Sequence, residues 1–279
     1  MPAEFERKQS YDITDLLDIM KLLRGESGCP WDREQDHKSI RKNFLEETYE
    51  VLEAIDTEDA DLLREELGDV LLQVVFHAQM EDEAGRFDFH AVCNEICKKL
   101  IVRHPHVFGT VSVGGADEVL ANWDKIKEQT KGQKTAAETL RSVPSVLPAL
   151  MRSEKVQHRA AKVGFDYPDS NWAMRDLDSE VQELKEAIVQ GDQAHIDEEL
   201  GDLLFSVVNV SRFVHSDAEN ALAKSCEKFI ERFENVEILA QRYGVDMKSA
   251  SMEKLDELWK EAKRIIGGVQ GTAEIRIKD

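Results

Sequence analysis

Four acidic positions, Glu47, Glu50, Glu66 and Asp69, recur 133 positions later as Glu180, Glu183, Glu199 and Asp202. The spacing is that of helices, because Glu-x-x-Glu and Glu-x-x-Asp put both members of a pair on one helical face. After Glu66 runs an apolar stripe, Leu67, Val70, Leu71, Val74, Val75 and Ala78, and Leu200, Leu203, Leu204, Val207 and Val208 repeat it at i, i+3, i+4 spacing. The preceding segment has Phe44, Val51 and Ile55 on one side in the first copy and Val181, Leu184 and Ile188 in the second. Short polar connections, Asp56-Thr57-Glu58-Asp59 and Gln190-Gly191-Asp192-Gln193, separate the two segments of each copy, which predicts an antiparallel helical hairpin. The expected fold is all-α, two tandem helical domains whose hairpins pair into four-helix bundles on homodimerisation.

In such a hairpin, residues equally far from the turn lie opposite each other. Glu47/Glu50 can therefore reach the level of Glu66/Asp69, and Glu180/Glu183 that of Glu199/Asp202. Single acidic pairs at this spacing are common on solvated faces, since Glu is a good helix former. Repetition of all four positions in both halves is not required by a solvated face. Four converging carboxylates repel unless a cation lies among them, and Mg2+, with Mn2+ as the alternative, takes hard oxygen ligands of this kind.

Helical periodicity lapses over His104–Asp117, which contains Pro105, Gly109, Gly114 and Gly115, and again from about Thr130 to Pro148. The expected division is a first domain over 1–135, a linker over 136–149, a second domain over 150–267 and a tail over 268–279.

The repeat extends to basic and aromatic positions. Lys99-x-x-x-Arg103 is matched by Lys228-x-x-x-Arg232, and Trp123-x-x-x-Lys127 by Trp259-x-x-x-Lys263. Arg can grip a pair of phosphate oxygens and Lys acts as a point charge, so these residues suit a polyphosphate; salt bridges to nearby Glu are the alternative. The Trp side chains can stack on a base or close a core.

A net charge of −20 argues against a general nucleic-acid binder, which needs clustered cations to displace counterions. No stretch approaches the roughly 20 apolar residues of a membrane span, and the opening MPAEFERKQS has no apolar core of a signal peptide, so a cytoplasmic protein is expected. Four cysteines, Cys29, Cys93, Cys97 and Cys226, make no disulfide framework. Cys93 and Cys97 with His104 and His106 lack the spacing of a usual zinc finger and read as buried thiols on a helix face. A di-iron bundle needs two Glu-x-x-His pairs, and Glu34 with His37 is the one such spacing.

The run Gly28-Cys29-Pro30-Trp31-Asp32-Arg33-Glu34-Gln35-Asp36-His37, followed by Glu46-Glu47-Thr48-Tyr49-Glu50 and Glu65-Glu66-Leu67-Gly68-Asp69, resembles the MazG family of all-α nucleoside triphosphate pyrophosphohydrolases. The second copy is similar in Arg159-Ala160-Ala161-Lys162-Val163-Gly164-Phe165-Asp166, Glu198-Glu199-Leu200-Gly201-Asp202 and Leu258-Trp259-Lys260-Glu261-Ala262-Lys263. The resemblance covers about Asp12 to Ile266. It implies Mg2+-dependent hydrolysis between the α and β phosphates, releasing a monophosphate and pyrophosphate. It assigns the metal to Glu47, Glu50, Glu66 and Asp69 and to Glu180, Glu183, Glu199 and Asp202. Phosphate and nucleotide contacts fall on Lys228, Arg232, Trp259 and Lys263, with Lys99, Arg103, Trp123 and Lys127 as their counterparts. One departure is that Glu46-Glu47 becomes Ser179-Glu180, which removes a candidate water-positioning base. The second domain, closest to the family's basic and Trp elements, is expected to carry the main activity. A narrower dUTP, dCTP or phosphoribosyl-ATP pyrophosphatase shares this architecture. A regulatory or oligomerising role for one domain is the non-enzymatic alternative.

Overall fold

The computed structural model describes residues 5–116, 118, 119, 122, 123, 126 and 135–269, with side chains to 266. Helices and turns make up these residues, with no strand among them. They form two compact units, divided between Gly132 and Gln133.

The first unit contains α1 (Ile13–Arg24), α2 (Pro30–Glu34), α3 (Arg41–Asp56), α4 (Ala60–Glu83), α5 (Phe89–Arg103) and α6 (Pro105–Phe108). The second contains α7 (Ala136–Arg141), α8 (Ala149–Ala161), α9 (Ser170–Gln190), α10 (Gln193–Phe213), α11 (Ala218–Tyr243) and α12 (Met252–Val269). Each unit is built on one hairpin, α3–α4 or α9–α10. Asp59 caps α4 by accepting from the Asp61 and Leu62 amides, and Asp192, 133 positions on, caps α10 by accepting from Ala194. Between the helices the chain turns through a left-handed residue, Glu58 at φ 54° in the first hairpin and Gly191 at φ 76° in the second. Glycine accepts that conformation without a Cβ penalty, so the second turn is the less strained of the two.

The buried seam repeats as well. Ala54 and Ala187 are 1% and 0% exposed, and Val75 and Val208 1% and 0%. Burying a valine completely contributes ~1.5–3 kcal/mol, and the small alanines let each helix pair close up. The stripe read from the sequence is only half buried: Leu67, Leu71, Leu200 and Leu204 remain 38–51% exposed. Core packing begins about two turns further along, where Met20, Ile40, Val75, Phe76 and Met80 form the first unit's cluster. In the second unit Val236, Leu239, Ala240, Leu258 and Ala262 bring α11 against α12. Ile55 and, at the matching place in the second unit, Ile188 are likewise exposed.

Two stretches expected to be irregular are partly helical. Within 104–117 lies α6, entered through Pro105 at its first turn. Within 136–149 lies α7, opened by a Thr135/Glu138 capping box and held to α8 by Arg159, which donates to the Thr139 carbonyl and to Ser142 Oγ at 2.7 Å. The capping signal Thr-x-x-Glu is present in the sequence, masked by the neighbouring Gly and Pro. The last helix continues to Val269, two residues beyond the expected domain end.

The turn before α3 is fastened to α4 by titratable groups. His37 Nδ1 lies 2.7 Å from His77 Nδ1, and His37 Nε2 lies 2.6 Å from Glu81 Oε1. Arg86 closes the other side of Glu81 at 2.5 and 2.8 Å. Hydrogen bonds from Arg86 and then His37 hold the Glu81 carboxyl down at about 2. Burial, with the His37 charge adding to it, holds His77 below its ordinary 6.5. Neutral His77 therefore contributes stability above 6.5 that is lost as pH falls below it, whereas ionised Glu81 contributes above 4.5 and is lost only toward about 2. The thermal midpoint of the first unit is expected to fall as pH drops below 6.5, and His77→Asn, which carries no proton in that range, is expected to flatten the fall. An unchanged slope in His77→Asn would assign the effect to another group.

Candidate active site

In each hairpin the acids stand near the middle of the first helix and in the first half of the second. Carboxylate oxygens of Glu47, Glu66 and Asp69 lie within 4.8 Å of one another, and those of Glu180, Glu199 and Asp202 do the same. Glu66 and Glu199 are 9% and 8% exposed, so one wall of each cluster is set into the hairpin.

Burial, followed by the charges of Asp69 and Glu50, pushes the Glu47 carboxyl up. Burial and Glu50 do the same to Glu66. In the second unit burial raises Glu180, with Glu183, Asp176, Asp202 and Glu199 adding to the shift. Crowded carboxylates resisting ionisation are what a divalent cation relieves. Hard oxygens at these separations suit Mg2+ or Mn2+ better than a soft metal. The donor set fits such an ion in both units.

The fourth acids behave differently in the two copies. Glu50 is close enough to Glu47 and Glu66 to share hydrogen bonds with both. Glu183 stands outside the three-oxygen group and accepts from Ser179 Oγ at 2.8 Å. Thus the Glu46-to-Ser179 change supplies a donor to the fourth acid. Glu46 itself pairs with Lys42 at 2.7 Å, away from the cluster.

The basic and aromatic elements also fold alike. The Arg103 guanidinium lies over Trp123 at 5.5 Å and that of Arg232 over Trp259 at 6.0 Å. Trp259 packs on the α11–α12 core and on Phe229, whose ring is 5.1 Å away. Lys99, Lys228 and Lys263 are exposed, and Lys127 lies outside the described residues. No hydrogen bond or ion pair among the described residues joins Lys228, Arg232 or Lys263 to the acids. Cys93 is half-buried and Cys97 exposed, so they are not the buried pair expected from the sequence. His37 is committed to His77 and Glu81, and Glu34 is exposed on α2, which leaves no di-iron pair there.

Several residues beside the second cluster lie outside the motifs that the sequence displays. His195 Nε2 lies 2.9 Å from Glu199 Oε1, a contact that His-x-x-x-Glu spacing on one helix could have revealed. Asp176, one turn before Glu180, accepts from Tyr167 Oη at 2.8 Å and from Ser206 Oγ. The bond to Asp176 pushes the Tyr167 hydroxyl up to about 12, so it stays protonated and donating. The charge of Asp176 is one of those that crowd Glu180. A pocket of 470 Å³ opens beside them, with Glu180, Asp202, Asp176, Tyr167 and Ser206 in its wall. At the equivalent places in the first unit stand Asn43, Gln73 and, for Asn209, the buried Phe76.

Comparison with known proteins accords with this geometry. The MazG nucleotide pyrophosphohydrolase domain matches twice, over residues 35–108 and 170–237, each match spanning one hairpin with its acids. A nucleoside triphosphate pyrophosphohydrolase of Escherichia coli (strain K12) is 48% identical over 257 residues, 90% of this chain and 97% of that protein. Nucleoside triphosphate pyrophosphohydrolase/pyrophosphatase MazG of Thermotoga maritima is 45% identical, over 89% of this chain and 94% of its own length. A Mycolicibacterium smegmatis nucleoside triphosphate pyrophosphohydrolase is 41% identical over 155 residues, 55% of this chain. With both hairpins matched and relatives aligned from end to end, the chain belongs to the MazG nucleotide pyrophosphohydrolase family.

Proposed function

We propose that this protein hydrolyses nucleoside triphosphates between the α and β phosphates, releasing a nucleoside monophosphate and pyrophosphate, with Mg2+ (or Mn2+) required and broad tolerance of the base. The observation that carries this reading is the pair of three-carboxylate groups, each within 4.8 Å, at matching places in both hairpins. The names of the similar proteins point the same way.

Glu180, Glu199 and Asp202, with Glu183 beside them, would hold the ion in the second unit, as Glu47, Glu50, Glu66 and Asp69 would in the first. A divalent cation held there neutralises triphosphate charge and lowers the pKa of a nearby water. Ser179 donates to Glu183 and His195 lies against Glu199, which restrains both carboxylates. Lys228 and Arg232 are assigned to the departing phosphates, and Lys263 and Trp259 to the rest of the nucleotide, with Lys99, Arg103, Trp123 and Lys127 as their first-unit equivalents. The second unit is the main site, because its acids open onto a pocket.

The working form is a homodimer. Leu67 and Leu71, and at equivalent places Leu200 and Leu204, present apolar surface beside the acids. Gly68 and Gly201 stand mid-helix, with nothing within 4 Å of where a Cβ would lie, and a mid-helix glycine costs ~1 kcal/mol against alanine. Open space against the helix is therefore expected to be used by what docks there. Light scattering should give twice the 31.7 kDa chain mass, and a monomer would remove this part of the reading. A cytoplasmic location is part of this proposal; among the described residues no helix is long and apolar enough to cross a membrane.

Metal-stripped protein incubated with each ribo- and deoxyribonucleoside triphosphate, with and without Mg2+, tests the proposal. Pyrophosphate release from several bases, only with the cation, is expected. Turnover confined to one base would replace it with the narrow-specificity reading, and cation-independent turnover would remove the assignment of the acids.

A further inference from the structure

A fifth carboxylate stands beside the second-unit acids, and the first unit has no charge in its place. Asp176 precedes Glu180 by one turn of α9, in the wall of the pocket that Glu180 and Asp202 also line. The matching position, 133 residues earlier, is Asn43. Glu46, which stands where the second copy has Ser179, does not make up the difference. It is tied to Lys42 at 2.7 Å and so brings its own counter-charge.

Asp176 is held instead by two uncharged groups. Tyr167 Oη donates to one of its oxygens at 2.8 Å, and Ser206 Oγ, on α10 and 3% exposed, donates to the other. With a hydrogen bond already accepted at each oxygen, the group reaches the cluster as charge and not as another ligand. Burial, and then the charges of Glu183 and Asp176 ahead of those of Asp202 and Glu199, push the Glu180 carboxyl up. Asp176 therefore weighs on Glu180 at least as heavily as the two acids that share its three-oxygen group. Asp176 is half-buried, where a charge is screened less than in open water. The affinity of an oxygen site for a hard cation is tuned by the negative charge gathered around it.

We propose that Asp176 is a positioning residue of the second-unit cation site: its charge draws the divalent ion without ligating it, and because Asn43 supplies none, the second unit binds its cation more tightly than the first. The inference rests on the reading that the two carboxylate clusters hold divalent cations. As Mg2+ rises, the second unit fills before the first.

Mn2+ binding followed by electron paramagnetic resonance tests this one unit at a time. Glu66→Gln removes the buried acid of the first cluster and leaves the second to be read, and Glu199→Gln does the reverse. In the Glu66→Gln background, Asp176→Asn should weaken Mn2+ binding by about 10-fold, the lower end of what partners of metal ligands contribute. The amide can accept from Tyr167 and donate to Ser206, so the charge is lost while the network is kept. Tyr167→Phe removes a hydrogen bond and keeps the charge, and should bind Mn2+ as its parent does. The loss in Asp176→Asn should also shrink as added salt screens the charge. In the Glu199→Gln background, Asn43→Asp should tighten the first site by a similar factor, a gain that a merely structural role would not produce. An unchanged Kd in Asp176→Asn, an equal loss in Tyr167→Phe, or no gain in Asn43→Asp overturns the inference and leaves the cation reading standing. No Mn2+ bound by the wild type or in either background overturns that reading and this inference with it. If Asp176→Asn does not fold, Asn43→Asp decides the question alone.

Discussion

Glu199→Gln is expected to lower pyrophosphate release by about 10³-fold, because a catalytic cation supplies several kcal/mol and each ~1.4 kcal/mol is tenfold in rate. Glu199 is the most buried acid of its cluster, within 4.8 Å of Glu180 and Asp202, so removing its charge removes the inner wall of the cation site. Glutamine preserves the volume, and the change also relieves carboxylate repulsion. The variant should therefore melt no lower than the wild type when both are metal-free, which separates lost chemistry from lost structure. Glu66→Gln makes the same change in the first unit, where Phe76 is buried at the place of the pocket residue Asn209. Most turnover should survive there. A larger loss in Glu66→Gln than in Glu199→Gln would move the main site to the first unit.

Adding Mg2+ to metal-stripped protein is expected to raise stability by ~2.7 kcal/mol at a hundredfold excess over Kd, or several degrees in Tm. The pH dependence fixes the source. Glu47, Glu66 and Glu180 have raised folded values, so without a cation their ionisation destabilises the protein as pH rises from 4.5 through those values, and the penalty is complete above them. The same penalty is absent once the pH is low enough to protonate them in both states. A cation in the cluster should remove it, making the Tm gain largest above the raised values and smallest near pH 4.5. The rise should shrink in Glu199→Gln and again in a double variant with Glu66→Gln. An equal rise in all three proteins would place the ion outside both clusters.

Much of this arrangement is legible in the chain because it is local. Paired acids at i, i+3, caps such as Asp59 and Asp192, and a fixed offset of 133 between copies all follow from helical geometry and duplication. The exposure of Leu67 and Leu200 was not legible, since an apolar stripe does not say whether its cover comes from the same chain or another. Nor was the pocket. Gln157 meets the Phe205 carbonyl 48 residues away, and Tyr167 and Ser206 meet on Asp176 from different segments. Each of these residues taken alone reads as an ordinary surface polar group. Long-range packing gives them a common site. The contrast between Ser179 and Glu46 was visible as a substitution, whereas its effect, a hydrogen bond that orients Glu183, needed the rotamer.

Phosphorus NMR of the reaction with ATP and Mg2+, run in parallel on the wild type and Glu199→Gln, is the most direct test of the proposed chemistry and its location. The expected wild-type spectrum loses all three triphosphate signals together and gains those of adenosine monophosphate and pyrophosphate, with no such change in Glu199→Gln on the same timescale. Appearance of adenosine diphosphate with orthophosphate would contradict cleavage between the α and β phosphates. Equal pyrophosphate formation in the two proteins would contradict the assignment of that cleavage to the acids of the second unit.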